Sequence, residues 1–76
     1  MKDIVEYIAK AIVSEPDEVV VIEEEEDDGF LVLRLEVAPS DKGKVIGRQG
    51  RVAQSIRALL RVAAVKENTR VVLKID

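Results

Sequence analysis

Seventy-six residues make one domain, 1–76, whose core must come from a few elements, because a chain this short buries only about 60% of its unfolded surface. The apolar fraction of 47% argues against disorder, the lack of cysteine excludes disulfides and thiolate metal sites, and the lack of histidine removes the commonest general base and neutral-pH metal ligand. The net charge of −3 hides a division: residues 1–39 carry −9 and residues 40–76 carry +6, which predicts one electropositive region and excludes a uniformly acidic surface.

The first predicted element is an amphipathic helix over residues 3–13, with Asp3 as its cap and Glu6 completing a capping box. Ile4, Ile8 and Ile12, with Val5 and Ala11 beside them, form its apolar face, and Pro16 ends it. Tyr7 is expected to be part-buried there. The acids among the first six residues, and the lack of a long apolar run, lead to the expectation of a cytoplasmic protein with no membrane contact.

Val19–Glu23 is a short β-branched strand, and the six acids Glu23 to Asp28 followed by Gly29 read as the solvated end of a hairpin. From Phe30 to Ala38 the chain alternates, with Leu31, Leu33, Leu35 and Val37 on one side and Arg34 and Glu36 on the other. Pro39 closes this strand, and Ser40 is placed to cap a short helix over 41–46. A tight turn at Gly47–Gly50 interrupts, and a longer helix follows to about Val65 with a core stripe of Val52, Ile56, Leu59, Leu60 and Ala63. Thr69 to Ile75 alternates as a last strand, with Val71, Leu73 and Ile75 inward. The predicted order is α-β-β-α-α-β, an α+β fold with a three-stranded mixed sheet and three helices.

The stretch Gly43 to Arg51 holds three of the four glycines, three basic side chains and no acid. Gly47 and Gly50 suit a turn in which backbone comes close to a ligand, and Lys44, Arg48 and Arg51 surround it with positive charge, a combination suited to phosphate. The element Val45-Ile46-Gly47-Arg48-Gln49-Gly50, set between two helices and followed by an alternating strand, resembles the GxxG loop of the KH domain, and the element order resembles its type II topology. The likeness extends to the small bacterial single-KH proteins of the KhpA family. It is carried also by Lys2 to Lys10, Pro16-Asp17-Glu18-Val19 and Val37-Ala38-Pro39.

That resemblance implies a non-catalytic RNA-binding protein without cofactor or metal, in which Gly47-Arg48-Gln49-Gly50 clamps the backbone of about four nucleotides of single-stranded RNA. The bases would lie in an apolar groove between the central helices and a sheet edge. Arg48 and Gln49 are then the phosphate and ribose contacts, Lys44 and Arg51 add to the field, Ile46 buries behind the turn, and Gln54 reaches the groove from the next helical turn. The resemblance also implies a regulator or chaperone of RNA, linked to cell elongation or division, that forms a homodimer or a heterodimer with a KhpB-like KH-containing protein. Ala58, Val62 and Val65 form a second stripe away from the core of the long helix, read here as a partner interface unless the first helix covers it. With one tyrosine and one phenylalanine, the usual ring platform for bases is missing, so a single copy should bind weakly and with strong salt dependence. The remaining alternatives are a loop that only joins two helices and a domain whose main task is partner binding. Catalysis is disfavoured, because Gly43-Lys44 is followed by Val45 where a P-loop needs Ser or Thr, and no serine has a paired base.

Overall fold

The computed structural model describes residues 1–26 and 28–75; Asp27, within the acidic run, and Asp76 lie outside the described residues. Helix α1 (Lys2–Ile12) is followed by strands β1 (Val20–Glu25) and β2 (Phe30–Glu36), helices α2 (Lys42–Ile46) and α3 (Arg51–Lys66), and strand β3 (Arg70–Ile75). Short 3-10 turns at Pro16–Glu18, Pro39–Asp41 and Arg48–Gly50 join them. The order is the expected α-β-β-α-α-β.

Strand β2 is central. It pairs antiparallel with β1, from Val20 opposite Glu36 to Glu25 opposite Leu31, and parallel with β3, from Phe30 opposite Arg70 to Leu35 opposite Ile75. A parallel neighbour cannot be reached by a hairpin, so α2 and α3 form the crossover and pack over one face of the sheet. The core lies between: Val5 and Ala9 from α1, Val21, Leu33, Leu35 and Leu73 from the strands, Val45 from α2, and Ile56 and Leu60 from α3. Among the described residues no helix is long and apolar enough to cross a membrane.

Several sequence expectations are corrected in detail. Helix α1 begins at Lys2, so Asp3 sits in its first turn and makes no side-chain cap bond. Its fully buried residues are Val5 and Ala9; Ile12 at the helix end and Ala11 on the flank are exposed, and Tyr7 projects into solvent. Strand β1 continues through Glu25, so half of the acidic run is paired strand rather than turn. An edge strand needs only its backbone ladder, and its glutamates point to water, one of them (Glu24) pairing with Arg34 at 2.8 Å. On α3 the buried stripe is Ala53, Ile56, Leu60 and Ala64, while Leu59 is exposed. Ser40 is exposed within the 3-10 turn and caps nothing.

Candidate nucleic-acid interface

Helix α2 is five residues long and ends where the Gly47 N–H donates to Gly43 O at 2.9 Å. Gly47 then takes φ 77° and ψ 173°, a conformation open essentially to glycine alone. A Cβ at this position would lie 2.4 Å from Val52 Cγ2 and 2.9 Å from the Val52 backbone nitrogen, so the second residue of α3 packs directly on the turn. Gln49 follows at φ 56° and Gly50 at φ 74°, both left-handed, and the Gly50 N–H closes the turn on Gly47 O at 3.2 Å. Three positive-φ residues in four swing the chain from α2 into α3 and leave Arg48 and Gln49 at an exposed tip.

Around that tip the Arg51 Nη2 donates to Gln49 Oε1 at 3.3 Å, while Arg48 extends into solvent. Gln54 is exposed one turn further along α3. Val45, not Ile46, holds the turn from behind: Val45 is completely buried and Ile46 is 41% exposed. A five-residue helix turns its inner face at one position only, and here the core takes Val45. Lys44 also differs in placement from a free flanking cation. Its ammonium donates to Ser14 Oγ and lies 3.5 Å from Asp41 Oδ1, so it belongs to a junction between α1 and α2.

Asp41 organises that junction. It is 1% exposed, and its two carboxylate oxygens accept the backbone N–H of Ser14 at 3.1 Å and of Glu15 at 3.0 Å. The hydrogen bond from Ser14 is the largest cause holding this carboxyl below the usual aspartate value of 3.8; burial opposes it, and Glu15 and Lys44 add to it. The result anchors the start of α2, and with it the Gly47–Gly50 loop, to the end of α1. No short-range signal in the sequence marks Asp41, since its partners are 26 and 27 positions away.

Beyond the loop, the second half of α3 and the outer edge of β3 enclose a groove of about 510 Å³. Leu60, Ala64, Val71 and Leu73 supply an apolar floor; Arg57, Arg61 and Arg70 line it, and among the described residues no carboxylate does. Arg57 Nη2 also donates to Leu73 O at 3.3 Å, bridging helix and strand edge. These three arginines were absent from the sequence-derived site; two of them recur at a helical spacing of four, the only signal that pointed to them. The second stripe of α3 is exposed rather than covered by α1: Val62 is 60% and Val65 74% exposed, with Ala58 and Leu59 also open, although Val65 sits on the groove rim.

Comparison with known proteins follows the same lines. The profile of the KhpA/KhpB KH domain matches residues 2–75. RNA-binding protein KhpA of Clostridium acetobutylicum is 53% identical over 75 residues, covering 99% of both chains. The proteins of the same name from Aquifex aeolicus and Bacillus subtilis are 45% and 41% identical, each match covering 99% of this chain and 94% and 91% of theirs. Among solved structures, Era in complex with MgGDPNP and a segment of 16S ribosomal RNA superposes with a TM-score of 0.59 at 21% identity; the match covers 97% of this chain and 28% of that one, a likeness of fold.

Proposed function

The chain belongs to the KhpA/KhpB KH-domain family, and from that premise we propose that it is a non-catalytic RNA-binding protein whose Gly47–Gly50 loop clamps the backbone of single-stranded RNA. The observation that carries this reading is the loop itself. Its two glycines hold positive-φ conformations that make a tight turn with Arg48 and Gln49 exposed at its tip, and Arg48 and Arg51 place positive charge on this stretch with no acid between. The relatives named above are RNA-binding proteins, which supports the same ligand. The groove between α3 and β3 supports a path for the bases, with phosphates drawn by Arg57 and Arg61 along its lip. In this reading the protein acts in the cytoplasm on RNA fate, as a regulator or chaperone, and performs no chemistry.

Titrating isotope-labelled protein with a short single-stranded RNA tests the reading. Amide shifts should move at Gly47 to Arg51 and along the α3–β3 groove. Shifts confined to α1 and β1 would contradict it.

One further observation favours a partner-binding role beside RNA binding. Ala58, Leu59 and Val62 form an exposed apolar strip on α3 that the domain's own elements leave open, which supports a homodimer or a heterodimer with a KhpB-like KH-containing protein. Two linked sites would raise avidity about a hundredfold or more where geometry lets both engage.

A further inference from the structure

The groove ends in a pair of residues that the loop clamp does not use. Phe30, the chain's only phenylalanine, opens β2, and Arg70 opens β3 directly opposite it in the parallel ladder. The Arg70 guanidinium carbon lies over the Phe30 ring, 5.4 Å from its centroid. The Thr69 hydroxyl donates to Gly29 O at 3.2 Å, tying the two strand starts together just before the pair. Among the described residues no carboxylate forms an ion pair with Arg70. A guanidinium held over a ring in this way carries a delocalised, planar cation whose π-face can meet a further π-system.

The position of the pair gives that face a use. Helix α3 starts at the loop and runs 16 residues, about 24 Å, before the chain turns back through Asn68 into Arg70. The Phe30–Arg70 stack therefore stands at the far end of the groove from Gly47–Gly50, and both residues line that groove. Arg57, Arg61 and Arg70 line the groove, whereas the concavities that adjoin it at Phe30 carry Glu26 and Asp28, with Lys74 as the one basic residue besides Arg70 itself. The three arginines draw a polyanionic strand along the groove.

We propose that Arg70, held over Phe30, is a stacking platform for the terminal base of a single-stranded RNA whose backbone the Gly47–Gly50 loop clamps. The platform rests on the RNA-binding reading above and extends it. It takes a nucleobase, through the π-face that every base has, and so lengthens the footprint without selecting a sequence. A guanidinium plane backed by a ring replaces the ring platform that a chain with two aromatic residues lacks.

The test compares the affinity of the intact chain for a labelled strand of about four nucleotides, the length such a loop holds, with strands lengthened at one end or the other. Lengthening toward the platform should tighten binding about fivefold or more, the effect of one stacked base. Making the added nucleotides abasic should remove that gain while leaving their phosphates. Arg70→Lys, which keeps the charge but not the plane, and Phe30→Leu, which keeps apolar bulk, should remove it too, the gain being read within each variant as the ratio of its affinities for the longer and the four-nucleotide strand. Equal gains in wild type, Arg70→Lys and the abasic strand would overturn the platform and leave the loop clamp standing, provided Arg48→Asp/Gln49→Asp still abolishes binding. No binding of any strand by the wild type would overturn both.

Discussion

Gly47 is held by two independent causes, a backbone conformation other residues avoid and a Val52 side chain where a Cβ would go. Gly50 has only the first, in the milder left-handed region, with open space around it. Gly47→Ala should therefore cost about 3 kcal/mol or more, and Gly50→Ala about 1 kcal/mol. Against a total stability of about 4–11 kcal/mol for a domain of this size, the first change is severe and the second tolerable. Urea unfolding of the two variants checks the order, and equal midpoints would contradict it. Asp41 makes a prediction about pH. Its carboxyl binds fewer protons when folded than when unfolded, so the stability it contributes is fully present above the usual aspartate value and is lost as pH falls through the lowered one. Thermal unfolding from about pH 5 down to about pH 2 should show a falling midpoint, with a smaller fall in Asp41→Asn, which is already less stable at neutral pH.

Elements were legible in the sequence where burial imposes a period. The alternation Leu31, Leu33, Leu35, Val37 and the stripe through Ile56 and Leu60 each name the face that meets the core, and the structure buries those faces. The end of β1 was not legible, because Glu24 and Glu25 sit in an edge strand with their side chains exposed and leave no apolar signature. The short helix α2 was placed correctly but its inward residue was not, since one buried position in five gives no period to read. The loop could be found from its glycines and charges, whereas the Asp41 junction and the Arg57, Arg61 and Arg70 groove depend on contacts between distant segments. Helix α3 carries three separate faces: the core stripe, the groove flank with Arg57 and Arg61, and the exposed strip with Leu59 and Val62. Val62→Asp should leave the fold intact while lowering the mass measured by light scattering to that of a monomer. An unchanged mass would remove the strip from any self-association.

The whole molecule separates its charge along the chain, −9 in residues 1–39 and +6 in residues 40–76, and the fold gathers three arginines of the second part along the groove, with no acid lining it among the described residues. That polarity lets a protein of net charge −3 attract a polyanion to one side only. With about three phosphates neutralised, the logarithm of the RNA affinity should fall with the logarithm of salt concentration with a slope near −2. A slope near zero would mean that the contacts are not to phosphate.

The most direct measurement of the central claim is fluorescence anisotropy of a labelled single-stranded RNA pool with the wild type and with Arg48→Asp/Gln49→Asp, at low and moderate salt. Both substitutions lie at an exposed tip, so the double variant should keep the wild-type circular dichroism and melting behaviour. The account predicts wild-type binding that weakens with salt and is lost in the folded double variant. Wild-type affinity in that variant would contradict the clamp and assign RNA contact, if any, to another surface.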